Sequence, residues 1–202
     1  MTVAALYVET NGVYFGLDGV DPWDEARDAR MYAGPWPVVA HPPCARWSNL
    51  AHIHKHRWPI GDDGGCFAAA LAAVREWGGV LEHPANSIAW DHFDLPFPSR
   101  GCWTTSLHDS GASTEVDQGH YGHKARKRTW LYAVGVVDLV PLDSRPGGGY
   151  YTKVENMNSR NGQASRTPPA FRDLLLQMAA SATRAVPAPA SDSSRSVPET
   201  TP

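Results

Sequence analysis

Cysteine is scarce in this chain of 202 residues: Cys44, Cys66 and Cys102 are the three, and no spacing pairs them. That pattern excludes a disulfide scaffold and predicts free thiols in a reducing compartment. Charge of one sign is equally short. The formal net charge is −3, so no global field draws the chain to nucleic acid, and any basic face has to be local. No apolar run reaches membrane-span length, and the first residues lack the basic-then-apolar order of a secretory signal. The expected setting is cytoplasm, without a membrane partner. There is no internal repeat and no Cys-x-x-Cys pair. His52, His54 and His56 alternate in one polar stretch, but without a second spaced pair they predict no metal site.

What is present is enough for one domain with a real core. Val3 to Val8 reads as a strand, Asn11-Gly12 as a turn, and Val13 to Leu17 as a second strand. Asp21 to Arg30 reads as a short charged helix with Pro22 early. Pro37 to Ala40 is a strand, and Arg46 to Gly65 is a long polar loop of the length usually given to function or disorder. Cys66 to Trp77 places Phe67, Leu71 and Val74 at helical spacing, with Asp63 as a cap and Gly78-Gly79 as the stop. Val80 to Glu82 is the next strand. Asn86 to Asp117 reads as loop-rich, Thr129 to Val137 as the clearest strand, and Thr167-Pro168-Pro169 as the start of a last helix. Trp77 and Trp90 are expected in the core. The catalytic domain is expected over residues 1–186, and Pro187 to Pro202, rich in Ala, Pro and Ser, as a disordered tail.

Two of these strands stop on reactive side chains. Val38-Val-Ala-His-Pro-Pro-Cys44 ends on a thiol, and Gly79-Val-Leu-Glu82 ends on a carboxyl. The helix between them makes a strand–helix–strand crossover, whose right-handed geometry brings both strand C-termini to one sheet edge. Open α/β sheets bind ligands at that edge. Cys44 and Glu82 are therefore expected as neighbours.

Four pieces then fall in order: Pro43-Cys44 after a strand, Glu82 at the end of the next, Lys124-Ala-Arg126-Lys-Arg128 before the strong strand, and Arg166-Thr-Pro-Pro-Ala-Phe171 opening the last helix. In that order they resemble the cytosine-5 DNA methyltransferase family, and in particular its short, phage-type members, over roughly Ala40 to Leu176. The family's signatures are a Pro-Cys-Gln loop, a Glu-Asn-Val strand end, a Gln-x-Arg-x-Arg run and a late Pro-Pro-like helix start. The resemblance implies a minimal Rossmann-like methyltransferase fold: α/β, with a mostly parallel sheet flanked by helices. It implies Cys44 as the nucleophile that adds to carbon 6 of cytosine, Glu82 at the ring nitrogen edge, and Arg126 and Arg128 holding the base. It implies S-adenosylmethionine as cofactor, held around Glu9, Gly12, Asp21, Pro43 and Thr167, with Asp24 a further candidate for the ribose. DNA is the implied partner, with its target base flipped out or single-stranded. Arg46, Trp47, Ser48, Lys55, Arg57 and Lys124 are the expected DNA contacts, mixing cations for phosphate with a ring for stacking. The expected setting becomes a bacterial or phage-infected cytoplasm.

The departures fall mostly on the cofactor side. Where the family has a glycine-rich turn, this chain reads Tyr7-Val-Glu-Thr-Asn-Gly12. Ala45 stands for the glutamine, His83 for the asparagine, and Lys124 for the first residue of the basic run. Too few residues separate Arg128 from Arg166 for a full target-recognition domain, so sequence specificity is expected to be low or borrowed from a partner protein. Two other readings stay open: the same Cys and Glu chemistry on a pyrimidine without S-adenosylmethionine, and an inactive nucleic-acid-binding protein.

Overall fold

The computed structural model describes residues 1–48, 51, 59–145, 152–153 and 165–184. Four parallel strands build one half of its main sheet: β1 (Val3–Leu6), β2 (Val20–Trp23), β3 (Val38–Ala40) and β4 (Gly79–Pro84), in the order β2-β1-β3-β4. The other half is mostly antiparallel. β9 (Arg128–Val134) pairs antiparallel with both β4 and β7 (Asp109–Asp117), and β6 (Thr104–Ser106) pairs antiparallel with β7. The two-residue β5 (Ser99–Arg100) lies parallel on β7. The fold is thus α/β, but its eight-stranded sheet is mixed, which corrects the expectation of a mostly parallel one. A separate pair joins β8 (Ala125–Arg126) to β10 (Thr152–Lys153).

Strand alternation sorts the core into two layers. Ala4, Leu6, Val38, Ala40, Leu81, Trp130 and Tyr132 face helix α1 (Cys66–Trp77), which answers with Phe67, Leu71 and Val74. Val3, Ala5, Val39, Val80, Leu131 and Ala133 face helix α3 (Pro169–Ala180), which answers with Phe171, Leu175 and Met178. The expected apolar stripes of both helices are the ones that pack. The N-cap of α1 is Gly65 and not the expected Asp63, which stands two residues earlier and accepts from Gly65 N at 2.9 Å and from Phe67 N of the first turn at 2.8 Å. Gly78 closes the helix at φ +77, and Gly79 starts β4 at φ +123 with its α-carbon tight against Val38. No residue with a β-carbon fits there: that carbon would sit 2.0 Å from the Val38 carbonyl oxygen.

Three local expectations fail. Val13 to Leu17 is a run of turns, and the second strand is Val20–Trp23. The expected helix at 21–30 is therefore a strand end followed by two 3-10 turns, Glu25–Arg27 and Ala29–Met31. Pro22 sits in the sheet's outermost strand, where a missing N–H costs no ladder bond. The stretch 86–117 holds the short helix α2 (Ala89–His92) and three strands, including the nine-residue β7. β7 carries few apolar residues, and two of its buried polar side chains find partners instead: Trp90 Nε1 donates to Ser113 Oγ at 3.0 Å, and Thr114 donates to the Cys102 carbonyl at 2.8 Å. Among the described residues no helix is long and apolar enough to cross a membrane. The expected tail, 187–202, lies outside the described residues.

Candidate active site

Register sets the site. Ala40 pairs with Leu81, so the next residues, His41 and Glu82, end side by side. His41 Nδ1 lies 2.8 Å from Glu82 Oε2. The other carboxylate oxygen accepts from Gln118 Nε2 at 3.1 Å, and Gln118 also donates to Thr129 at 2.9 Å. Tyr14 Oη lies 2.8 Å from His41 Nε2. A hydroxyl donating to Nε2 leaves the proton on Nδ1, which faces the carboxylate. The result is a chain Tyr14–His41–Glu82–Gln118 drawn from the turn after β1, the residue after β3, β4 and the 3-10 turn that follows β7. Each Glu82 oxygen keeps a further lone pair for a ligand.

Pro42 and Pro43 carry the chain from His41 to Cys44, whose carbonyl then accepts from both Trp47 N and Ser48 N at 3.0 Å in a tight turn. Cys44 and Glu82 line one cleft of about 1200 Å3, together with His41, Pro43, Lys127 and the turn from Glu9 to Tyr14. Cys44 is exposed as a residue, yet cleft walls crowd it. That crowding, and then the Glu82 charge, raises its thiol pKa, while Lys127 pulls the other way. Glu82 is buried, which alone would raise its pKa. The His41 bond and the charges of Lys127, His41 and His83 overcome this and hold it down to about 2. Lys127 is pushed below the ordinary lysine value by crowding, with Glu82 and Cys44 opposing. His83 is buried against Phe67 and Trp90, and burial lowers it to about 4. The free cleft therefore holds an ionised carboxylate beside a protonated thiol.

The arginines expected at the base are engaged elsewhere along the same wall. Arg128 donates to Glu115 through two nitrogens at 3.0 and 2.5 Å, and Arg126 Nε lies 3.7 Å from Asp117. Both line the cleft. Among the expected cofactor residues, Glu9, Gly12, Pro43 and Thr167 line it too. Asp21 does not: its carboxylate accepts from Arg27 at 2.6 Å and from the Trp23 indole at 2.9 Å. Asp24 accepts from Thr10 at 2.8 Å and caps the following turn. Gly12 closes a turn in which a β-carbon would meet the Glu9 carbonyl at 2.7 Å, so its glycine serves that turn. Of the three acidic candidates for a ribose, Glu9 is left on the cleft wall with its carboxylate uncommitted among the described residues.

The expected nucleic-acid contacts divide. Lys124 is exposed, and Arg46 and Ser48 are half-buried. Trp47 is not a stacking platform. It is 3% exposed, packed on Phe67 and Phe93, with its indole donating to Asp63 at 2.8 Å. The ring packs into the core beside α1, and that burial corrects its assignment as a stacking contact to DNA. Lys55, Arg57 and the three alternating histidines lie outside the described residues. Among the described residues no cluster of His, Cys, Asp or Glu is arranged to hold a metal ion. Trp90 is core, as expected, and Trp77 packs at its margin.

Sequence reading missed His41, Tyr14, Gln118 and Lys127. His41 gave a signal, since it ends an apolar run next to the prolines. Comparison with family models, with curated proteins and with solved structures returns no match for this chain.

Proposed function

We propose that this protein is a DNA cytosine-5 methyltransferase-like enzyme of Rossmann-like descent that activates an extruded pyrimidine by covalent addition of Cys44. The observation that carries this reading is one cleft lined by a thiol and a buried, ionised carboxylate at the ends of adjacent parallel strands. The first step balances on those two groups. The Cys44 sulfur bonds to ring carbon 6, and the thiol proton passes through Glu82 to ring nitrogen 3. The electron pair of the ring double bond then becomes an enamine, with carbon 5 as its nucleophilic end. His41 and Gln118 hold the carboxylate in place for that transfer. Lys127 and Arg166 along the wall, with Arg126 and Arg128 held by Asp117 and Glu115, are the cations that would meet a phosphate backbone.

S-adenosylmethionine is the methyl donor of this reading, with Glu9 at the ribose and Pro43 and Thr167 along the wall; it would supply the electrophilic methyl group that carbon 5 takes. The engagement of Asp21 and Asp24 favours a second reading, the same base activation with another one-carbon donor.

DNA carrying 5-fluorocytosine tests the shared step. Wild-type protein is expected to form a denaturation-resistant adduct, and Cys44→Ser none; no adduct with the wild type, with or without the cofactor, would sink both readings. Mass spectrometry of nucleosides from DNA co-expressed with the protein identifies the group transferred. Titration calorimetry with S-adenosylmethionine separates the two donors, since absence of binding at millimolar concentration removes the first.

A further inference from the structure

Three consecutive cations, Arg126, Lys127 and Arg128, line the same cleft as the thiol, and their partners differ. Arg128 is neutralised by Glu115, and Arg126 lies against Asp117. Lys127 has no carboxylate within 4.0 Å among the described residues. Its ammonium donates instead to two backbone carbonyls at the approach to α3, Ser165 O at 3.0 Å and Arg166 O at 3.3 Å. Neutral carbonyls orient an ammonium and leave its charge whole, and a third N–H remains.

We propose, on the reading that Cys44 is the nucleophile, that Lys127 is the positioning cation for its sulfur, holding the charge that appears as the thiol proton leaves, and that Arg126 and Arg128 serve the wall. The sulfur is negative between loss of its proton to Glu82 and formation of the bond to carbon 6. A full positive charge in the same crowded cleft lowers the energy of that interval. The other titratable or charged groups that line the cleft with the thiol are Tyr7, Glu9 and Tyr14 after β1, His41 after β3, Glu82 from β4, Arg126 from β8, Arg128 from the start of β9 and Arg166 before α3; Tyr14 bonds His41, and Gln118 bonds Glu82. The shifts agree with the assignment: Lys127 is the cation that lowers the Cys44 thiol pKa, against crowding and Glu82, and it lowers Glu82 as well.

The rate at which iodoacetamide alkylates Cys44, followed on its own peptide by mass spectrometry between pH 6 and 10, tests this in the full chain without any substrate. Lys127→Gln keeps N–H donors for the two carbonyls and removes the charge. It is expected to raise the apparent thiol pKa by about one unit, which slows alkylation about tenfold at pH 8. Lys127→Arg is expected to restore most of the rate. Unchanged alkylation in Lys127→Gln, with native melting, would overturn the proposal; should that variant not fold, an alkylation profile in Lys127→Arg shifted as far as in a chargeless variant such as Lys127→Met would do the same. The outcome is separable from the base-activation reading. A shifted thiol profile without any 5-fluorocytosine adduct sinks base activation and leaves the Lys127–Cys44 coupling standing. An adduct with an unshifted profile does the reverse.

Discussion

Glu82→Gln gives the sharpest test of the electrostatics that hold the site together. In the folded protein the Glu82 carboxyl is held down to about 2, against an ordinary value of 4.5. At about 1.4 kcal/mol per unit, that gap is worth about 3 kcal/mol of stability at neutral pH. The figure is consistent with two hydrogen bonds to a charged acceptor, from His41 and Gln118, at about 1.5–3 kcal/mol each, less the cost of burying the charge. Because the folded value lies below the unfolded one, the contribution is complete above about pH 5. It drains away as pH falls from about 4.5 toward about 2. Between pH 6 and pH 3 the wild type should therefore lose about 2 kcal/mol from this residue alone. Urea denaturation followed by the fluorescence of the eight tryptophans measures it at both pH values. Glu115 and Asp21 also titrate with folding, but they do so in both proteins, so the difference between wild type and variant reads Glu82 together with its charge coupling to His83. The stability gap between the two proteins should shrink by about 2 kcal/mol on acidification. A gap that stays constant from pH 6 to pH 3 would refute the reasoning, whatever its size.

Much of this arrangement was legible because strand ends can be read from a sequence. Val38-Val-Ala and Gly79-Val-Leu are short apolar runs, and a helix with clean periodicity joins them, so the parallel crossover, with both strand ends at one cleft, followed from chirality. Helix α3 was legible for the same reason, with two prolines at its start and an apolar stripe behind them. What stayed hidden depends on partners distant in sequence. Nothing local marks β7, because Ser113, Thr114 and Glu115 are buried only by virtue of Trp90, Cys102 and Arg128. Reading that segment as loop also left the carboxylates of Glu115 and Asp117 unassigned, and so made Arg126 and Arg128 look available. Lys127, between them, was passed over as an interval residue in a motif. His41 becomes a site residue through register alone, and Tyr14 because turns, where a strand was expected, bring its hydroxyl back to the imidazole. The mixed sheet has the same origin: an apolar run such as Thr129 to Val134 reads as a strand, but its direction is fixed by the β6–β7–β9 meander beside it.

Two further outcomes bear on this frame. Gly79→Ala should destabilise the protein by more than about 3 kcal/mol, because its new carbon would sit 2.0 Å from the Val38 oxygen at a φ of +123 that only glycine adopts freely; a melting temperature within a few degrees of wild type would show that β3 and β4 do not approach so closely. Glu115→Ala removes an acceptor that binds Arg128 through two nitrogens, Arg100 at 3.1 Å and the Trp130 indole at 3.1 Å, and it is 3% exposed. The two arginines keep contact with solvent and the buried Trp130 indole loses its acceptor, so about 1–3 kcal/mol should be lost in urea denaturation, and an unchanged stability would refute the contribution of these bonds. The same substitution frees the Arg128 guanidinium on the cleft wall. If Lys127 alone serves the sulfur, the alkylation profile of Cys44 should stay where it is in Glu115→Ala even as stability falls, and a thiol made more reactive by the freed arginine would return Arg128 to the site.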